Sequence, residues 1–122
     1  MIKRDKPTGI TRIVRALGYS LQGFRYAWRE EAAFRQEFCI AVAVIPAGIY
    51  LGRSGIERVL LVWPMLQILV VELLNSAVEA VVDRGGMERH PLAGMAKDMG
   101  SAAVLLSFAL LGTVWLLILS DH

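Results

Sequence analysis

Apolar residues in the N-terminal quarter of the chain recur at intervals of three and four. Ile10, Ile13, Val14, Leu17, Leu21, Phe24 and Trp28 follow that spacing, which gathers them on one side of a helix. Arg12, Arg15, Arg25 and Arg29 fall off the stripe. The pattern predicts an amphipathic helix over residues 9–30, behind a polar, basic start. A basic helix with Trp and Phe on its apolar side suits the plane of a membrane surface. The alternative is docking on a protein core, and the runs that follow favour the membrane.

Three long apolar runs come next. FCIAVAVIPAGIYL (38–51) is short for a span, but extending it back to Ala32 makes it adequate. VLLVWPMLQILVVELLNSAVEAVV (59–82) is long enough if its glutamates are tolerated, and MGSAAVLLSFALLGTVWLLIL (99–119) meets the roughly 20-residue requirement unaided. Spans over about 32–52, 58–83 and 97–119 follow. Pro46 and Pro64 lie inside the first two, where membrane helices tolerate proline. The connections are a tight turn, LGRSGIE (51–57), and a longer polar loop, DRGGMERHPLAGMAKD (83–98). The expected architecture is an all-α membrane protein of one domain, with an N-terminal amphipathic surface helix and three transmembrane helices.

Composition agrees. Of 122 residues, 56% are hydrophobic and the mean hydropathy is +0.52, too apolar for an ordinary soluble domain of this size. The net charge of +2 gives no nucleic-acid footprint. The single cysteine, Cys39, rules out a disulfide framework and reads as a reduced packing thiol. The start, MIKRDKPTGITR, has no apolar core behind its basic residues, so no cleavable signal peptide is expected. Lysine and arginine placement orients the spans. Lys3, Arg4, Lys6, Arg12, Arg15, Arg25, Arg29 and Arg35 precede the run at 38–51, Arg53 and Arg58 lie in the first turn, Arg84, Arg89 and Lys97 occupy the second loop, and the C-terminal tail has none. The N-terminus and the 83–98 loop should face the cytoplasm, with the short turn and the C-terminus outside.

Acidic residues inside the second span change the picture from a membrane anchor to a functional polar site. At about 100° per residue, Glu79 lies about 20° from Glu72, Asp83 about 20° to the other side, and Asn75 about 60° away. The four form one polar stripe that must face other helices or a wet cavity. Asp83 marks the cytoplasmic edge, and Glu72 lies about 10 Å deeper than Glu79. Glu30, Glu31 and Glu37 flank the start of the first span, and Glu88, Lys97 and Asp98 lie near the start of the third. Oxygen ligands with basic side chains at a membrane edge suit Mg²⁺ and a polyphosphate. A reacting alcohol needs a base within hydrogen-bond reach, and the deep Glu72 suits that task. Membrane glutamates also line proton or cation pathways, and acids near helix starts often only complement the dipole. No Walker A pattern (GxxxxGK[ST]) and no protein-kinase motif set is present. The residues alone leave two classes open, a lipid-directed phosphotransferase and an ion-conducting bundle.

Three stretches, GITRIVRALGYSLQGFRYAWREEAAFRQE (9–37), VELLNSAVEAVVDR (71–84) and AKDMGSAAV (96–104), make the chain resemble the small integral-membrane diacylglycerol kinases of bacteria. The similarity runs from Gly9 to the C-terminus. The resemblance implies transfer of the γ-phosphoryl group of ATP to the hydroxyl of diacylglycerol, giving phosphatidate, by a homotrimer in the bacterial cytoplasmic membrane. Undecaprenol kinases share the fold and are the alternative within the class. By resemblance, Glu72 is the catalytic base, and Glu31 and Glu79 hold the divalent metal, Mg²⁺, against ATP. Asn75 supports that site, with Glu37 and Asp83 beside it. Tyr19, Glu88, His90, Lys97 and Asp98 match nucleotide contacts, together with Glu31 and Glu79. Arg12, Arg58 and Ser101 match positions near the lipid, alongside Glu72. The chain departs from the family pattern at Arg89, where a tyrosine is expected, at Pro91 after His90, and at Met95, where a basic residue is expected.

Overall fold

A computed structural model describes residues 8–86 and 90–122. Four helices follow in order: α1 (Gly9–Glu30), α2 (Ala32–Leu51), α3 (Gly55–Asp83) and α4 (Pro91–Ser120). The last three are long and apolar enough to cross a membrane. α3 is the centre of the bundle, packing against α2 on one side and α4 on the other. Ala41, Met65 and Ile68 form the core, closed by Val44, Ile45, Leu69, Phe108 and Leu111.

Each helix end has a local cause. α1 and α2 are separated by one extended residue, Glu31 (φ −115°, ψ 102°). Arg35 secures this elbow from α2, donating from Nη1 to Trp28 O (2.7 Å) and Arg29 O (3.1 Å), two of the carbonyls that the end of α1 leaves open. Trp28 and Phe38 meet edge to face across the elbow, with ring centroids 5.6 Å apart. At the opposite end, Ser54 caps α3 by accepting from Glu57 N at 3.1 Å. The turn before it is tight enough that a Cβ on Gly52 would lie 2.9 Å from the backbone nitrogen of Arg58. Glycine also permits close helix contact at Gly48, where a Cβ would lie 3.0 Å from that of Leu61.

Pro46 and Pro64 sit inside α2 and α3, and both helices continue through them. Trp115 Nε1 on α4 donates to Leu61 O at 3.0 Å, in the turn that the Pro64 ring crowds. The same end holds the C-terminus, where His122 Nε2 lies 2.9 Å from Glu57 Oε1. The 52–54 turn and the C-terminus therefore share one end of the bundle, as three antiparallel spans require.

Two expectations differ from the structure. The polar loop over 83–98 is shorter than its composition implied, because α4 already begins at Pro91. Proline's fixed φ suits a first helical turn, and His90 Nδ1 accepts from Leu92 N at 3.1 Å. A helix rising beyond the apolar zone needs no apolar residues, so polarity there does not mark a loop. Cys39 is exposed on the outer side of α2, so it is not a core thiol within one chain.

Much apolar surface is uncovered. The stripe of α1 is open, from Ile10 at 80% exposure to Trp28 at 46%, and α4 buries only Ser107. Surface of this kind needs lipid or another chain against it. The protein is accordingly a multi-pass membrane protein with a helix lying outside its three spans.

Candidate active site

The carboxylates gather at the end of the bundle that holds the α1–α2 elbow. Glu72 on α3 and Glu37 on α2 are both buried, at 4% and 6% exposure. Their carboxyl groups lie within hydrogen-bonding reach of each other. Glu79, two turns along α3, and Glu31, at the elbow, add their negative charge to the surroundings of Glu72. The elbow explains how Glu31 arrives there. Its extended backbone ends one helix and starts the next, so the residue falls at the inner corner between α1 and the start of α2.

Asn75 joins the group from the same side of α3, its Nδ2 donating to Glu79 Oε1 at 3.5 Å, the long limit of a hydrogen bond. α4 closes the edge. Lys97 Nζ lies 2.7 Å from Asp83 Oδ1, with Glu79 close enough to add to the field at the ammonium. Lys97, which the resemblance matches to a nucleotide contact, here pairs α4 with the end of α3. A cavity of about 570 Å³ opens beside the cluster between α1 and α3. Ser20, Tyr26, Glu30, Glu31 and Ser76 line it among apolar neighbours.

Several polar atoms here have no partner in the chain. Glu37 Oε2, Asn75 Oδ1 and Ser76 Oγ are buried and unpaired. Buried polar atoms are normally satisfied, so three such atoms in one region set it apart from the rest of the bundle. Among the described residues, no three His, Cys, Asp or Glu side chains converge as a metal cage. Magnesium does not need one, because one or two carboxylates commonly hold it while phosphate oxygens and water complete its shell. An all-oxygen donor set with uncompensated negative charge fits that ion.

The remaining sequence-derived positions divide clearly. Asp98 and Ser101 are exposed on α4 near Lys97 and Gly100. His90 caps α4 through Nδ1, and Tyr19 is exposed on α1. Glu88 and Arg89 lie outside the described residues. The structure does not bring Arg12 to the cluster, since it is exposed near the far start of α1. Nor does it bring Arg58, whose Nε donates to Ile49 O at 3.0 Å in the opposite turn, about 21 Å along the helix from Glu72. Two residues in contact with these elements escaped the sequence reading. Arg35 looked like one more basic residue before a span, although a cation four residues after the elbow is a standard way to close a helix end. Gly100 carried no signal at all, because its contact with Asn75 depends on how α4 sits against α3.

A sequence profile described as prokaryotic diacylglycerol kinase matches residues 18–119. The diacylglycerol kinase of Escherichia coli is 49% identical over 118 residues, covering 97% of both chains. That of Pseudomonas aeruginosa is 51% identical over 112 residues, 92% of this chain and 91% of the relative. That of Haemophilus influenzae is 47% identical over 110 residues, 90% and 93% respectively. With the profile spanning most of its length and relatives of this similarity covering nearly all of it, the chain belongs to the prokaryotic diacylglycerol kinase family.

Proposed function

We propose that this protein is an ATP-dependent lipid kinase that phosphorylates the free hydroxyl of diacylglycerol to give phosphatidate. The observation that carries the reading is the buried Glu72, set among Glu31, Glu37 and Glu79 at one end of a three-span bundle. A membrane family whose members are named for this reaction supplies the substrates. In the proposed reaction, Glu72 takes the proton as the lipid oxygen attacks the γ-phosphorus. The new P–O bond forms as the bond to the β-phosphate oxygen breaks, and ADP leaves with that electron pair. Glu31 and Glu79 would hold Mg²⁺, which when bound neutralises phosphate charge and orients the γ-phosphoryl group. Asn75 steadies Glu79, and Lys97, anchored by Asp83, meets the phosphates. Positioning and charge neutralisation then supply most of the catalysis, as in other phosphoryl transfers.

In this reading the cluster faces the cytoplasm, where ATP is, and the Glu57–His122 end faces out. The chain works as a homotrimer in the bacterial cytoplasmic membrane. The uncovered faces of α1 and α4 support lipid and subunit contacts respectively. An ion pathway would need no nucleotide-binding shell, and Lys97 at the mouth of the carboxylates would oppose cation entry. The test is purified protein in mixed micelles with labelled ATP, offered dioleoylglycerol or undecaprenol separately. Labelled phosphatidate is the expected product. Transfer to undecaprenol alone would reassign the acceptor, and no transfer to either lipid would refute the kinase reading.

A further inference from the structure

Gly100, on α4, lies directly over Asn75 of α3. A Cβ built on it would collide with Asn75 Oδ1 and sit 3.2 Å from Asn75 Cγ. Gly94 and Gly112, in the same helix, have nothing within 4 Å of the corresponding position. α4 therefore has no general need for glycine, and the need is specific to the site opposite Asn75. Helix propensity points the other way, since glycine is a poorer helix former than alanine.

The amide is wedged between two neighbours. Its oxygen is buried over the bare Cα of Gly100 and has no hydrogen-bond partner. The glycine Cα–H that takes the place of a side chain offers it at most a weak contact. Its nitrogen is turned to Glu79 Oε1. A methyl group at position 100 would force Asn75 into another rotamer or push α4 off α3. Either movement takes the amide nitrogen away from Glu79.

We propose that Gly100 is a positioning residue for phosphoryl transfer. Its missing Cβ admits Asn75 Oδ1 into the α3–α4 contact and so holds Asn75 Nδ2 on Glu79. This rests on the reading of Asn75 and Glu79 as parts of the kinase site. Gly100 touches neither substrate nor metal and acts only through Asn75.

The test is a double-mutant cycle on the full chain in mixed micelles, with dioleoylglycerol as acceptor and Mg²⁺ and ATP titrated. Gly100→Ala and Asn75→Ala should each lower kcat at least tenfold and raise the half-saturating Mg²⁺ concentration. The double variant should be no worse than Asn75→Ala alone, and Gly112→Ala should match the unsubstituted protein. A double variant whose loss is the product of the two single losses overturns the proposal, as does an unimpaired Gly100→Ala. A silent Asn75→Ala overturns it too, while leaving the kinase reading intact. An unsubstituted protein with no kinase activity overturns both. If Gly100→Ala fails to fold, thermal melts by circular dichroism decide. Recovery of a cooperative melt in the double variant supports the wedge, because only Asn75 then stood in the way; a double variant that also fails to fold makes Gly100 a packing residue and overturns the proposal.

Discussion

Glu72→Gln separates catalysis from stability more sharply than any other single change. The side chain is 4% exposed, within hydrogen-bonding reach of Glu37, and within the field of Glu79 and Glu31. Glutamine keeps the volume and one acceptor oxygen and adds an NH₂ donor. That donor can reach the Glu37 carboxyl, whose Oε2 is otherwise unpaired. Removing one member of a crowded group of carboxylates lessens like-charge repulsion, so the thermal midpoint in detergent should hold or rise. Activity should move the opposite way. General-base catalysis is worth 10²–10⁴-fold, or about 2.7–5.4 kcal/mol at 1.36 kcal/mol per tenfold. The assay is initial-rate transfer from labelled ATP to dioleoylglycerol, beside a melt of the same preparation. Retention of more than about a tenth of the rate refutes the base assignment. A lost rate with a fallen midpoint refutes the structural half, because it would mean the charge is needed for the fold.

Glu31→Ala and Glu79→Ala should each raise the half-saturating concentrations of Mg²⁺ and ATP, and unchanged dependence on both would remove them from the metal site. Gly52→Ala should lower the melting midpoint and spare kcat, because a Cβ there meets the Arg58 backbone as well as its side chain, and the backbone cannot swing aside; overpacking costs about 1–3 kcal/mol, and an unaltered melt would show that the turn relaxes freely. Trp115→Phe should remove the bond to Leu61 O at a cost of about 0.5–1.5 kcal/mol, with Mg²⁺ and ATP dependence unchanged. Mixing inactive Glu72→Gln subunits with inactive Glu31→Ala subunits should restore activity if the site is shared between chains. Demonstrably mixed trimers that stay inactive would assign a complete site to each subunit.

What the sequence made legible was whatever lies along one helix. The seven-residue spacing of Glu72 and Glu79 is two turns, so their common face follows from helix geometry alone. The stripe of α1 and the lengths of the three spans are equally local properties. What it hid was register between helices. Nothing in the spacing says that Glu37 of α2 reaches Glu72 of α3, or that Gly100 of α4 lies over Asn75. Those contacts depend on how α2 and α4 slide along α3, which Gly48, Met65 and Phe108 settle by packing. Lys97 and Asp83 were visible as two charges at one edge but not as a pair at 2.7 Å. The start of α4 was misplaced because polarity marks where a helix leaves the bilayer, not where it ends.

The two ends of the bundle satisfy their polar groups differently, and that contrast points to the working end. At the Glu57–His122 end several polar groups pair with one another. Ser54 Oγ accepts from Glu57 N, Glu57 Oε1 from Arg53 N and beside His122, Ile49 O from Arg58 and Leu61 O from Trp115. The first two fix the turn and the start of α3, and the bonds of Arg58, Trp115 and His122 link separate elements. At the elbow end, Glu37 Oε2, Asn75 Oδ1 and Ser76 Oγ are buried without partners in the chain. Stability alone would favour apolar residues at those three positions, since an unpaired buried polar atom costs about 1–3 kcal/mol. Glu37 Oε2 and Ser76 Oγ lie by the proposed catalytic carboxylate and its cavity, which supports the reading of that end as the reaction site, whereas Asn75 Oδ1 is packed over Gly100. The Glu57–His122 end ties the helices together, and the elbow end, in the proposed reading, carries the reaction.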